Sequence, residues 1–171
     1  DLTSRALVRI DPNINFSWGG NSPDPLIEPG TYSARWTGLV KSDVGGLHTF
    51  TASIDNGVRV WIGGQLIIDD WRDIPPHDVS GSFNMVAAQW HTIVVEHFEN
   101  WGGASIKLSW QRTGMSRTII PTSAFRIPTD TQTPSTPKNI AATLLSDRTA
   151  ILQWPASTDD TIVARYDVYR D

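Results

Sequence analysis

The chain holds no Cys and four His, so any chemistry must come from carboxylates, amides, imidazoles and indoles. Thiol nucleophiles, thiolate metal sites and disulfide scaffolds are excluded together. The His residues, at 48, 77, 91 and 97, do not make a metal cluster: six strand residues separate His91 from His97, about 20 Å, too far to share one ion. Asp69-Asp70 resembles an acid pair for glycoside hydrolysis, but neighbours on a strand point to opposite faces and cannot flank one bond. Asp11, Asn13 and Asn15 have the alternate spacing of an EF-hand loop. Phe16 stands where that loop needs Gly, however, and Ser22 where it needs Glu, so Asp11 and Asn13 are expected to serve a turn. No Gly-x-Ser-x-Gly elbow or phosphate-binding glycine loop occurs. Two stretches remain. Asp55-Asn56-Gly57 is a polar corner with a charged carboxylate between two apolar runs, where a hairpin needs only Asn-Gly or Asp-Gly. Glu99-Asn100-Trp101-Gly102-Gly103 sets a Trp at a loop tip beside an amide and two glycines.

Alternating patterns place these stretches at strand ends. Tyr32–Leu39, Leu47–Ile54, Val58–Ile62 and Gln65–Asp69 read as four successive strands, with the chain doubling back at Val44-Gly45-Gly46, Asp55-Asn56-Gly57 and Gly63-Gly64. Phe50, Ala52 and Ile54 share one face, as do Val58, Val60 and Ile62, and both faces need a core. After the loop Arg72–Gly81, Val79–Val86 reads as a weaker strand. Trp90–Phe98 and Ala104–Gln111 read as a hairpin pair, the second with Ala104, Ile106, Leu108 and Trp110 on its dry face. Thr118–Ile120 and Phe125–Ile127 close the unit. Before it, Ala6–Ile10 has a short strand-like pattern, and a long irregular connection follows in which Ile14, Phe16 and Trp18 tuck beneath the sheet. Residues 128–137, PTDTQTPSTP, are a Thr/Pro linker with a reach of about 3 Å per residue. Three short strands are expected beyond it: Ile140–Leu144, Ala150–Trp154 and Ala164–Tyr169.

Composition narrows the partners. The 14 Lys and Arg are scattered and the formal net charge is -4, which disfavours nucleic acid. No apolar run approaches the roughly 20 residues of a membrane-spanning helix, so membrane insertion is not expected. Asp1 follows no signal peptide, and the chain reads as a piece of something longer. With eight Trp, those in loops are the ones that could meet a ligand. Trp36, Trp61 and Trp110 are expected in the core.

Several separated motifs resemble, in order, the protective-antigen (PA14) domain family: Asp11-Pro12-Asn13-Ile14-Asn15-Phe16-Ser17-Trp18, Arg35-Trp36-Thr37-Gly38, Thr49-Phe50-Thr51, Asp55-Asn56-Gly57-Val58-Arg59-Val60-Trp61-Ile62, Asp69-Asp70-Trp71 and Phe98-Glu99-Asn100-Trp101-Gly102-Gly103-Ala104 through Leu108-Ser109-Trp110. The resemblance covers residues 1–127 and implies a β-sandwich whose usual first strand is missing. Residues 138–171 resemble the first strands of a fibronectin type III domain, with Trp154 as core Trp and Tyr166-Asp167-Val168-Tyr169 as third strand. They fall far short of the roughly 100 residues such a domain needs. The expected fold class is thus all-β, a protective-antigen-type sandwich followed by a truncated fibronectin type III-like segment.

In sugar-binding members of the family, calcium is held by two successive acidic residues joined by a cis peptide and by an Asn from a second loop, and the ion ligates sugar hydroxyls. Carried over by motif, the resemblance implies Asp55, Asn56 and Asn100 as metal and carbohydrate ligands, with Trp101 stacking on the sugar. Asn56 departs from the pattern and leaves one formal negative charge against a +2 ion. Two outcomes stay open: a calcium site, or a turn at Asp55-Asn56-Gly57 with Asn100 capping a loop and Trp101 a lid on the sandwich end. The resemblance implies a non-catalytic carbohydrate-binding module of a secreted or cell-surface carbohydrate-active enzyme or adhesin, its partners a glycan and neighbouring domains of a longer chain. The alternatives are a structural or protein-interaction module that positions a neighbouring catalytic domain without a ligand of its own, and a module that shapes the mouth of an enzyme's active site.

Overall fold

The computed structural model describes residues 2, 6–129, 134–144 and 150–157. The chain divides into two compact units, Asp1–Ile127 and Pro128–Asp171. The first is all-β. Its strands are β1 (Asn15–Gly19), β2 (Thr31–Lys41), β3 (Gly46–Asp55), β4 (Gly57–Ile62), β5 (Gln65–Asp70), β6 (His77–Met85), β7 (Trp90–Asn100), β8 (Ala104–Arg112), β9 (Met115–Ile119) and β10 (Phe125–Arg126). One sheet runs β1-β8-β3-β6 with β9 also on β8, and the other runs β10-β2-β7-β4-β5. The pairings within both are antiparallel.

The expected dry faces are the ones buried. Phe50, Ala52, Ile54, Ile106, Leu108 and Trp110 from the first sheet meet Val58, Val60, Ile62, Ile93 and Val95 from the second in one core. Each large side chain there contributes about 1.5–3 kcal/mol by leaving water, which is what holds the two layers together. Trp36 packs against this core, half-buried.

Connectivity differs from the sequence reading. The pairs Tyr32–Leu39 with Leu47–Ile54, Leu47–Ile54 with Val58–Ile62, and Trp90–Phe98 with Ala104–Gln111 are not hairpins, because in each case the second strand lies in the opposite sheet. Only Gly63-Gly64, with φ of +58° and +81°, joins hydrogen-bonded neighbours among the turns expected there. Alternation is satisfied equally by a neighbour in the same sheet and by a strand that crosses the core, so the pattern could not separate the two. Ala6–Ile10 is not a strand; Val8 and Ile10 are exposed and find no sheet to join. The strand at this end is β1, inside the stretch read as irregular, where Phe16 and Trp18 stack with ring centroids 4.9 Å apart. Trp61 is not in the core either. Val58, Val60 and Ile62 take the inward positions of β4, which turns Trp61 outward to line a shallow depression with Gly64, Thr92, Val94 and Glu96.

In the second unit the described strands are β11 (Ala141–Leu144) and β12 (Ala150–Gln153), an antiparallel pair. The third expected strand, Ala164–Tyr169, lies outside the described residues.

Candidate functional site

Both polar stretches are places where the chain leaves one sheet for the other. Asp55 still pairs with Ser105 in the first sheet, while Gly57 already pairs with Phe98 in the second. Asn56 alone makes the crossing, and the Asp55–Asn56 peptide is cis. On the other side, β7 ends at Asn100, opposite Thr31, and β8 begins at Ala104. Since β4 pairs with β7 and β3 with β8, the two crossings occur at the same end of the sandwich.

Side chains tie them together. The Asn100 N–H donates to Asn56 Oδ1 at 2.8 Å. Asp55 lies against the neighbouring loop, since a Cβ on Gly103 would come within 3.3 Å of its Oδ2. Asn56 is buried at 5% exposure, held in addition by the Asp73 carboxylate, which accepts from its Nδ2 at 2.9 Å. Asp73 also accepts from Asn100 Nδ2 at 2.6 Å. Beneath the corner, His97 is fully buried, with Nδ1 3.1 Å from the Gly57 carbonyl. A carbonyl only accepts, so Nδ1 carries the proton.

Trp101 stands beside this cluster. Its N–H donates to the Gly30 carbonyl at 2.5 Å, and it adopts φ +65° ahead of Gly102 at +108°. The indole lies over Gly30, where a Cβ would come within 2.9 Å of Cε3. At 72% exposure the ring does not seal the core, as a lid would; one face is open to solvent.

The electrostatics are those of an acidic corner. Burial, and then the Asp73 charge, raise the Asp55 pKa, with His77 acting in the opposite direction. Burial followed by Asp55 and Asp73 pushes Glu99 up to about 7. Glu99 is 3% exposed, and neither of its carboxyl oxygens has a hydrogen-bond partner among the described residues. None of Asp55, Asp73 and Glu99 takes part in an ion pair among those residues. No trio of His, Asp or Glu among them is grouped to hold a metal unaided, so a cation here would depend on amide and main-chain oxygens as well. The residue types suit a hard ion of that kind, since carboxylates and amides gather at this corner with no Lys or Arg ion-paired to them among the described residues.

Asp55, Asn56, Asn100 and Trp101, the residues singled out by sequence, are therefore brought to one end of the molecule. Asp73 and Glu99 were not singled out. Asp73 sits in the Pro-rich segment between β5 and β6, 17 residues from Asn56, and no local spacing links the two. Glu99 had one available signal, an acidic residue at an inward position of β7. The carboxylates of Asp11, Asp69 and Asp70, also weighed from the sequence, are engaged elsewhere. Asp70 pairs with Arg72 and His77, Asp69 pairs with Arg59, and Asp11 receives the Trp36 indole N–H at 2.8 Å.

Known proteins are similar to this chain in sequence and in fold. A curated relative, anti-sigma-I factor RsgI3 of Acetivibrio thermocellus, is 37% identical over 123 residues, covering 72% of this chain and 19% of the relative; the chain thus spans only a small part of that protein. The solved structure of an anti-sigma factor domain-containing protein from Clostridium clariflavum superposes with a TM-score of 0.70 at 36% identity, over 80% of this chain and 46% of that one. A PA14 sugar-binding domain from an RTX adhesin shares the fold at a TM-score of 0.56 and 16% identity, over 68% of this chain and 77% of that one. The sequence model of the PA14 domain matches residues 2–124. On that match, and on the two-sheet sandwich that carries its motifs, the chain belongs to the PA14 domain family.

Proposed function

We propose that the first unit is a glycan-binding module whose binding end is the paired crossing at Asp55-Asn56-Gly57 and Asn100-Trp101, and that it works with calcium. As a PA14 domain it is a non-catalytic module, and it acts by holding its ligand. The observation that carries the reading is the gathering of Asp55, Asn56 and Asn100 beside Trp101, a residue left 72% exposed. Oxygens for sugar hydroxyls and a flat apolar face for a pyranose ring are the two things a sugar site needs. Asp55, Asn56, Asn100 and loop carbonyls would hold the ion, which when bound supplies further coordination positions for a vicinal diol. The chain's own part is to fix both loops through the Asn100-to-Asn56 hydrogen bond, and to keep Trp101 outward by bracing its main chain on Gly30.

The relatives named above bear anti-sigma-factor names. We therefore place the module, within a longer chain, as the ligand-sensing part of a cell-surface regulator in preference to an accessory of a glycoside hydrolase. The Pro128–Asp171 unit, read as the start of a fibronectin type III domain after a Thr/Pro linker, would serve as a spacer.

The test is a polysaccharide and glycan array followed by calorimetry, with calcium and with EDTA. Chelation should lower glycan binding and melting temperature together, because an ion that binds only the folded state stabilises it. Trp101→Ala should weaken binding by about tenfold or more, equivalent to ~1.4 kcal/mol, while stability stays within about 0.5 kcal/mol, as for an exposed side chain. An array silent for the wild-type chain in calcium would favour a purely structural module.

A further inference from the structure

The Asp55-Asn56-Gly57 corner carries one carboxylate, one formal negative charge against a +2 ion. We propose that Asp73 supplies a second negative charge to an ion held here and orients the Asn56 and Asn100 amides from behind. The inference rests on the calcium reading above and deepens it.

The geometry is specific. A single carboxylate bridges the two crossings, Oδ1 to Asn56 Nδ2 at 2.9 Å and Oδ2 to Asn100 Nδ2 at 2.6 Å. Donating its NH2 group to a fixed carboxylate settles which way an amide's oxygen faces. Asp73 accepts from both amides. A flip of either amide would set a carbonyl oxygen against a carboxylate oxygen, and the Asn56 flip would also set an NH2 group against the Asn100 N–H. Both orientations are therefore dictated by chemistry. A second observation points to a cation. Glu99, next to Asn100 in sequence, is 3% exposed with both carboxyl oxygens lacking a partner among the described residues, and it lies within electrostatic reach of Asp55 and Asp73. Three carboxyl groups thus share one corner without a Lys or Arg among their described ion pairs. A cation at this corner would offset the charge of Asp55 and Asp73. Groups that orient metal ligands from behind commonly govern affinity nearly as strongly as the ligands themselves.

Calcium titration calorimetry on the 171-residue chain tests this, alongside Asp73→Asn and the double variant Asp73→Asn with Asn56→Asp. Asp73→Asn should weaken calcium binding about 10–100-fold. The double variant places the carboxylate at position 56 instead and should recover most of that loss. If Asp73→Asn fails to fold, the double variant decides alone: affinity near wild type supports the exchange, and affinity more than about tenfold weaker overturns it. Equal calcium affinity in wild type and Asp73→Asn, with only the melting temperature lowered, makes Asp73 a structural clamp and overturns this inference while the calcium reading stands. A wild-type chain that takes up no calcium overturns both.

Discussion

Acid should loosen the corner through His97, by an amount the structure lets one work out. The imidazole is fully buried on the inner face of β7, its ring 6.3 Å from that of Trp18. Its Nδ1–H holds the Gly57 carbonyl, and Nε2 has no partner among the described residues. Burial lowers its pKa from 6.5 to about 4, so on acidification the unfolded chain takes up the proton first. The stability of keeping the ring neutral is complete above about pH 6.5 and is lost as the pH falls towards 4. Integrated between pH 7 and pH 4, the loss is about 3 kcal/mol. The assay is urea unfolding at both pH values for the wild type and for His97→Gln, whose amide can still donate to Gly57. Carboxylates common to both proteins cancel in the difference. The variant should lose about 3 kcal/mol less than the wild type over this interval. Equal losses would refute the reasoning, because the buried ring would then not be the group that acid charges.

Two further outcomes are expected. Asp70, 6% exposed, is held by Arg72 and His77 and has its pKa lowered to about 2, chiefly by Arg72. Its contribution is present above about pH 4 and lost as pH falls through about 2, worth about 1–2 kcal/mol after solvent screening at the exposed Arg72. Asp70→Asn should flatten a tryptophan-fluorescence acid titration in that window, and an unchanged titration would remove Asp70 from the account. Gly81→Ala should cost more than about 3 kcal/mol, since its Cβ would run into the Ile67 main-chain carbonyl on β5 in the facing sheet, and a main-chain obstacle cannot rotate away. Thermal unfolding close to wild type would show that β6 and β5 do not approach so closely.

Much of the sandwich could be read before any coordinates. Period-two alternation at Phe50, Ala52 and Ile54, at Val58, Val60 and Ile62, and at Ala104, Ile106, Leu108 and Trp110 names the buried faces, because the pleat makes side-chain direction a local property of the strand. The same logic located the site's parts: polar residues and glycines interrupt the alternation at Asp55-Asn56-Gly57 and Asn100-Trp101, where strands must end. It failed for β1, whose short run is held by pairing with β8 some ninety residues along the chain, which leaves no local pattern; the Phe16–Trp18 alternation alone was too short to mark a strand. It also misplaced Trp61, whose residue type suggested burial more strongly than its position allowed.

Sequence alone determined which faces are dry, where the strands stop, and that an acid, two amides and an indole fall at such stops. Tertiary structure decided which sheet each strand enters, and hence that two apparent turns are crossings at one end. It also brought in Asp73, through hydrogen bonds spanning 17 and 27 residues, and closed the corner with one spanning 44. The physical reason is range: alternation is dictated by the chirality and pleat of each strand, whereas the choice of partner is made by long-range packing that leaves no trace in the spacing of neighbours.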